Sequence, residues 1–310
     1  MISLVIPNYN GADILKKNLP HILKSIEEYR GDSEIVLVDD ASSDDSLSFL
    51  SSFKKENMSF DISIFKNEKN LGFSSTVNKG VENARGEIIV LLNSDVEPKT
   101  DFITYLIPHF KDEKVFAVGC LDESEENGKI IQRGRGVGEW QRGFLVHKRG
   151  EPSKKNTLWA AGGSSAFRKS LWEKLGGLDE LYNPFYWDDI DLSYRALKSG
   201  YKINFERRSI VVHRHSQGAI KKSYSKREIK RIAYRNQLFF VWKNSDLTTL
   251  FWHIIWLPYH IVKALFSLNT EFLLGFLYAL IKLPKVIESR IEAKKYFVFK
   301  DREVVRNFTE

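Results

Sequence analysis

The chain has 310 residues, 43% hydrophobic and 13% aromatic, enough to bury a large core and to exclude a disordered, collagen-like or disulfide-stapled protein. Its 47 Lys and Arg against 40 Asp and Glu leave a formal charge of +7, which suits an acidic small ligand, an anionic membrane surface or a nucleic acid without choosing among them. A single cysteine, Cys120, excludes an internal disulfide and a thiolate-rich zinc site and points to a reducing compartment, the cytosolic side.

The first residues carry no basic n-region and too short an apolar run for a signal peptide, so Ile2 to Ile6 reads as a first strand. Pro7-Asn8-Tyr9-Asn10-Gly11 stops it, and Ile14, Leu15, Leu19, Ile22, Leu23 and Ile26 then recur at helical spacing. Glu34 to Val38 is a second strand, Ser46 to Phe53 a helix, Ile62 to Phe65 a strand, Ser74 to Ala84 a helix and Glu87 to Leu92 a very apolar strand. This alternation predicts a parallel sheet, whose ligands bind at the carboxyl ends of the strands. Pro7-Asn8, Asp39-Asp40 and Asn93-Ser94-Asp95 all fall there. From Phe102 to Phe205 the pattern is mixed, and the polar, glycine-rich stretch Asp122 to Gly150 reads as loops or short hairpins over a cleft.

Several residues carry chemistry. Asp and Ser cap helices, which accounts for Ser42 to Asp45, but Asp39 at the strand tip can also accept from a base N–H or a ribose hydroxyl. No G-x-G-x-x-G follows the first strand, which disfavours a nicotinamide or flavin enzyme, and no P-loop is present. Asp95 offers the oxygen ligand a hard divalent cation takes, although Asn93-Ser94-Asp95 is equally an Asx turn leading to Pro98. Behind Tyr186-Trp187, the acids Asp188, Asp189 and Asp191 open a helix ending near Gly200; three acids exceed what the helix dipole needs, and a carboxylate beside aromatic rings can take a proton from a hydroxyl. His213 and His215 alternate like a strand end, and a histidine near Asp95 is a candidate third ligand. Gly162-Gly163-Ser164-Ser165 is expected to open a helix and supply N–H donors, or else to make a tight strand-to-helix turn.

Beyond Ser216 the composition turns basic and then apolar. From Asp246 to Ser267 the polar residues Asp246, Thr249, His253, His260, Lys263 and Ser267 form one stripe, and Glu271, Tyr278, Lys282, Lys285 and Ser289 repeat the design after an Asn269-Thr270 cap. Two interfacial amphipathic helices are expected, with Lys221, Lys222, Lys226, Arg227, Lys230 and Arg231 reinforcing attraction to anionic lipid. The alternative is that the wide apolar faces pack on the catalytic domain or on a second subunit. No nucleic-acid recognition motif accompanies the basic patch.

The order and spacing of Val5-Ile6-Pro7-Asn8-Tyr9-Asn10, Val38-Asp39-Asp40-Ala41-Ser42, Asn70-Leu71-Gly72-Phe73, Leu92-Asn93-Ser94-Asp95, Gly162 to Arg168, Gly176-Gly177-Leu178-Asp179-Glu180, Trp187 to Arg195 and Asn236-Gln237-Leu238 resemble the family 2 glycosyltransferases of the GT-A fold, of the bacterial polysaccharide or rhamnosyltransferase-like type. The resemblance runs from Ile2 to about Lys243 and implies an α/β fold: a mostly parallel Rossmann-like sheet flanked by helices. It implies a catalytic domain over residues 1–220, with a nucleotide-binding half at 1–100 and an acceptor half at 101–220, followed by a membrane-associating region at 221–310. It further implies inverting transfer of a sugar from a UDP- or dTDP-sugar to a glycan or polyprenyl-linked acceptor, assisted by Mn²⁺ or Mg²⁺, at the cytoplasmic membrane face.

On the family pattern the donor would meet Pro7, Asn8, Tyr9, Asp39, Asn70, Asn93, Ser94 and Asp95, and the acceptor Gly162, Gly163, Ser164, Tyr186 and Trp187. Asp189 would be the general base with Asp188 the second candidate, and Asp95 with His213 would hold the metal. Asn93 stands where the family's metal motif has its first carboxylate. The rival readings are a nucleotidyltransferase, which would want a basic glycine-rich loop that is missing here, and an inactive sugar-nucleotide-binding or scaffold protein. A homo-oligomer is left open.

Overall fold

A computed structural model of the chain describes residues 1–126, 129–213 and 223–308. The N-terminal third follows the local signals: β1 (Ile2–Asn8), α1 (Ala12–Tyr29), β2 (Ser33–Asp39), α2 (Ser46–Glu56), β3 (Ile62–Lys66), α3 (Phe73–Asn83) and β4 (Ile88–Leu92). These strands pair in parallel in the order β3-β2-β1-β4, with Asn8 in register with Asp39. Because strand side chains alternate between faces, Val5, Val36, Val38, Ile89 and Leu91 fill one core while Leu4, Ile6, Ile35, Leu37, Val90 and Leu92 fill the other.

The sheet then continues with mixed polarity, so the expected parallel sheet holds only for its first half. Strand β5 (Val96–Pro98) pairs antiparallel with β11 (Lys202–His213), and β10 (Ser164–Arg168) runs antiparallel between β4 and β6 (Val115–Glu126). The glycine-rich stretch forms two hairpins, β6 with β7 (Lys129–Arg133) and β8 (Gly136–Gln141) with β9 (Phe144–Arg149). Gly162-Gly163 form a turn and Ser164-Ser165 open a strand, not a helix: Ser164 to Arg168 pairs with β4 and Ser165 to Phe167 with β6, and α5 begins only at Lys169 (Lys169–Leu175).

Helices α4 (Phe102–Leu106) and α6 (Asp188–Lys198) flank the second half, and the C-terminal part is helical: α7 (Lys226–Asn244), α8 (Leu247–Phe266), α9 (Thr270–Ile281), α10 (Leu283–Lys294) and α11 (Asp301–Arg306). The second expected amphipathic segment is thus two helices, divided at Lys282, where Pro284 starts a new first turn. The cap expected at Asn269 forms, accepting from the Phe272 N–H at 3.2 Å, and Asp246, expected only in the polar stripe, also caps its helix, accepting from the Thr249 N–H at 2.8 Å. Leu238 to Val241, Ala264, Phe272 and Val304 share one buried cluster with Val5 and Phe116. Among the described residues no helix is long and apolar enough to cross a membrane. His215, Lys221 and Lys222 lie outside the described residues.

Candidate active site

The tips of β1, β2 and β4 stand side by side, which brings the first three predicted motifs together. Asp39 is fully buried; its Oδ2 accepts from the Asn8 side-chain amide at 3.0 Å and its Oδ1 from the Ser42 N–H at 2.9 Å. Each oxygen keeps acceptor capacity, so the carboxylate is oriented rather than consumed. Its neighbour Asp40 has a different task. It accepts from Asn67 Nδ2 at 2.7 Å and from the N–H groups of Leu71 and Gly72, both at 2.9 Å, and so holds the loop that presents the exposed Asn70 and starts α3. Within the run Ser42 to Asp45, Asp44 serves two helix starts at once, accepting from the Ser46 N–H and hydroxyl before α2 and from the Ala12 N–H of α1.

Asn93 and Gly163 couple this donor side to the next motif. The Asn93 N–H donates to the Gly163 carbonyl at 2.9 Å, and a Cβ on Gly163 would lie 2.6 Å from the Asn93 amide nitrogen. That nitrogen belongs to the Asn93 side chain, so any larger residue at 163 would displace this side chain. One residue earlier, the Gly162 N–H donates to Asp189 Oδ2 at 3.2 Å. Two adjacent glycines therefore bridge the β4 tip to the acid pair.

The acids Asp188 and Asp189 open α6 after Tyr186 and Trp187, whose φ angles of 71° and 73° lie in the left-handed region that side chains rarely adopt. Consecutive non-glycine residues there cost about 1–3 kcal/mol each and persist only where surroundings impose them. Asn236 on α7 supplies part of that constraint: its side-chain amide donates to the carbonyls of Tyr182, Phe185 and Tyr186 at 2.8, 2.9 and 2.9 Å. Asp188 is buried, 3.4 Å from the Ser74 hydroxyl, while Asp189 is half-buried. Desolvation and then the Asp189 charge push the Asp188 carboxyl up, to about 7; desolvation also raises Asp189, against the N–H groups of Gly162 and Ile190. The third acid, Asp191, is structural. It is fully buried and paired with Arg195 at 2.8 Å and Lys243 at 2.9 Å.

Asp95 and His213 meet because β5 pairs with the end of β11. His213 Nε2 lies 3.3 Å from Asp95 Oδ2 and its Nδ1 3.4 Å from Asp122 Oδ2. Burial alone would lower the imidazole pKa, but Asp122 and Asp95 hold it up, at about 9. Asp122 was missed among the sequence candidates, although it ends the apolar run Val118-Gly119-Cys120-Leu121 much as Asp95 follows β4. The two carboxylates sit on opposite ring nitrogens, so one ion cannot touch all three groups. Among the described residues no cluster of three or more His, Cys, Asp or Glu is arranged around a metal position.

The aromatic pair divides. Tyr186 is 44% exposed, whereas Trp187 is buried against Phe240, with ring centroids 5.1 Å apart, so Trp187 presents little surface to a sugar. His147, from the β8–β9 hairpin and absent from the sequence candidates, stacks edge-on against both Trp187 and Trp159, with centroids 5.0 and 5.3 Å away. Nothing local in its sequence marks it, since the partners come from other segments.

The model of the family described as "Glycosyl transferase family 2" matches residues 3–176. The chain is 31% identical over 126 residues to the undecaprenyl-phosphate 4-deoxy-4-formamido-L-arabinose transferase of Enterobacter sp. (strain 638), covering 41% of this chain and 38% of that one. It is 28% identical over 185 residues to the GalNAc(5)-diNAcBac-PP-undecaprenol beta-1,3-glucosyltransferase of Campylobacter jejuni, covering 58% and 56%. The match thus spans about half the length of these curated relatives or less. Among solved structures, GalNAc-T7 with UDP, GalNAc and Mn²⁺ aligns with a TM-score of 0.62 at 20% identity over 78% of this chain and 47% of that one. The mannosyltransferase PcManGT of Pyrobaculum calidifontis, in complex with GDP-Man and Mn²⁺, aligns at 0.57 and 16% identity over 95% and 86%. The fold is GT-A, as the sequence motifs implied. The matched family model covers more than half of the chain, and the protein belongs to glycosyl transferase family 2.

Proposed function

We propose that the protein is an inverting glycosyltransferase that moves one sugar from a UDP- or dTDP-sugar to a hydroxyl of a glycan or polyprenyl-linked oligosaccharide. The observation that carries this reading is the glycine bridge, in which Gly163 holds Asn93 at the donor-side strand tips and Gly162 holds Asp189. It supports a carboxylate working beside the donor-side strand tips. The relatives named for undecaprenyl-linked substrates, and the neighbours that hold UDP or GDP-Man, support the acceptor and donor classes.

In this reading Pro7, Asn8, Tyr9, Asp39 and Asn70 face the base and ribose, and Asn93, Ser94 and Asp95 the diphosphate. The acceptor, set by Gly162, Gly163, Ser164 and Tyr186, with Trp187 behind them, directs its hydroxyl to Asp189. The hydroxyl oxygen bonds to the anomeric carbon, the bond from that carbon to the diphosphate oxygen breaks with its electron pair, and the proton passes to Asp189. Attack opposite the leaving group inverts the carbon. Asp189 is preferred to Asp188 because it is the more exposed of the two. Burial of Asp188 favours its protonated form, which spares Asp189 a like-charge neighbour.

Asp95 Oδ2 and His213 Nε2, 3.3 Å apart, are an oxygen and a nitrogen donor at the separation two ligands of one small cation take. They would hold Mn²⁺ or Mg²⁺, with Asp122 fixing the ring through its other nitrogen. When bound, the cation neutralises charge on the diphosphate. Residues 1–220 are the catalytic domain in this reading and 221–310 the membrane-associating region, located peripherally at the cytoplasmic face.

A panel of nucleotide sugars, tested for binding by calorimetry and for cation-dependent hydrolysis, checks the proposal. One UDP- or dTDP-sugar is expected to bind and turn over with inversion at the anomeric carbon. Release of pyrophosphate from a nucleoside triphosphate would identify a nucleotidyltransferase instead, and binding without turnover of any donor a sugar-nucleotide-binding protein.

A further inference from the structure

Helix α8 is built the opposite way round from a soluble amphipathic helix over its middle turns. There the histidines of its polar stripe face the protein, while Lys263 and Ser267 at its end are exposed. His253 is 1% exposed; its Nδ1–H donates to the Gly143 carbonyl at 2.8 Å and its Nε2 accepts from Trp242 Nε1 at 3.0 Å. One side of the same helix further on, His260 Nε2–H donates to the Arg142 carbonyl at 2.9 Å. Arg142 in turn bonds the Tyr259 hydroxyl at 2.9 Å and lies over the Trp256 and Tyr259 rings. The tip of the β8–β9 hairpin is therefore the partner of the stripe, and Gly143 makes the close approach: a Cβ there would lie 2.5 Å from the His253 Cα.

With the polar groups turned inward, the apolar ones face out. Of the twenty-six large hydrophobic side chains that are exposed among the described residues, twenty lie between Leu247 and Phe299, including Phe251, Trp252, Ile255, Leu265 and, at 88%, Phe266. Exposed apolar side chains at this density mark an interaction site. Its charges identify the partner. Lys263 and Lys282 are exposed within it, Lys285 follows, and Lys226, Arg227 and Lys230 are exposed on α7, against which α9 packs through Gly275. A twofold contact between copies would set this basic apolar face against itself. An anionic lipid surface would neutralise it, and exposed Trp252, Tyr259 and Tyr278 have the amphipathic rings that settle at such a boundary.

We propose that α8 and α9 form a bilayer-docking surface for anionic phospholipid, in which the catalytic unit occupies the polar side of the helix that water would otherwise solvate. The helices lie in the plane of the interface, with Phe251, Ile255 and Phe266 entering the acyl boundary and the lysines meeting phosphate groups. This names the surface behind the membrane-face location proposed above and does not depend on the sugar-transfer chemistry.

The test uses the full-length protein with vesicles of phosphatidylcholine alone or mixed with phosphatidylglycerol. The protein is expected to co-sediment with the mixed vesicles, and high salt to remove only part of the binding. Combined Phe251→Glu, Ile255→Glu and Phe266→Glu substitutions are expected to weaken vesicle binding by more than about tenfold, with an unchanged melting temperature and unchanged hydrolysis of a nucleotide sugar in solution. Vesicle binding as tight in the triple variant as in the parent would overturn the proposal. So would a parent that ignores vesicles and sediments as a dimer that the triple variant dissociates, which would assign the face to a second copy. Vesicle binding by a protein that hydrolyses no nucleotide sugar would uphold the docking surface and remove the transfer reading.

Discussion

Asn236 and Tyr186, fifty residues apart in sequence, are joined by a 2.9 Å hydrogen bond from the Asn236 side-chain amide to the Tyr186 carbonyl. The same amide serves Tyr182 and Phe185, so two hydrogens are shared among three acceptors around a turn with two left-handed residues. Helix α7, which carries Asn236, is also the helix on which α9 packs. The position of the acid pair is thus set from the C-terminal region.

Replacing that amide by an apolar side chain of similar size removes its hydrogens without adding a charge. Asn236→Leu is expected to leave buried carbonyls without donors, at about 1–3 kcal/mol of stability. It should lower kcat more than it changes donor affinity, because the turn and not the strand tips is disturbed. Melting curves with donor calorimetry and steady-state kinetics check it; a parallel loss of donor affinity would show that the turn is not its point of action.

Loss of the proposed base has a sharper signature. Asp189→Asn keeps size and the Gly162 hydrogen bond but cannot take the proton, so turnover should fall by about 10²–10⁴-fold at nearly constant donor affinity. If Asp188→Asn shows that pattern and Asp189→Asn does not, the roles are exchanged.

Asp188 also predicts a stability effect whose sign is unusual. Its folded pKa is raised, so its protonated form is favoured by the fold, and the stability it contributes at low pH is lost as pH rises from about 4 to about 7. Asp188→Asn should remove that decline and leave the protein more stable at neutral pH. Denaturant midpoints between pH 4 and 8 for both proteins measure the difference, and parallel profiles would contradict it.

The Lys243 network runs the other way. Lys243 Nζ lies 2.6 Å from Asp179 and 2.9 Å from Asp191; desolvation opposes ionisation of Asp179, but the Lys243 charge prevails and holds its pKa at about 2. That stability is present above about pH 4 and is lost as pH falls toward 2. Lys243→Met should cost about 3–5 kcal/mol at neutral pH by leaving Asp179 buried without its cation. Mild acid should then partly restore the variant, whereas it weakens the parent. Chemical denaturation across pH 3–7 shows whether the two slopes have opposite sign.

Chelation tests the Asp95–His213 pair. Excess EDTA should abolish transfer and Mn²⁺ or Mg²⁺ restore it, and Asp95→Ala should not be rescued by the cation. Full activity in chelator would remove Asp95 and His213 from that role.

Much of the fold was legible because its signals are local. The boundaries of β1 through β4 and α1 through α3 follow from strand runs, helical spacing and the punctuation at Pro7, Asp39 and Asn93, each read within a few residues. The cap at Asn269 forms for the same reason. The family motifs likewise placed Asn8, Asp39 and Asn93 at neighbouring strand tips, since strand ends of a parallel sheet must lie on one edge.

What stayed illegible depends on partners far along the chain. Gly162 to Ser165 has a turn-like composition, and Gly162-Gly163 do turn, yet Ser164 is paired with β4 and Ser165 with both β4 and β6, and pairing of that kind leaves no local mark. Asp122 became part of the His213 site only through the pairing of β6 with β11. Trp187, expected on the acceptor side, is buried against Phe240 by a helix that its own segment does not reveal. The polar stripe of α8 is the clearest case. Periodicity determined by itself that the helix has a polar and an apolar side, because 3.6 residues per turn is a property of the backbone. Which side meets protein was decided by the Gly143 carbonyl, 110 residues from His253, because a buried imidazole goes where both of its nitrogens are satisfied.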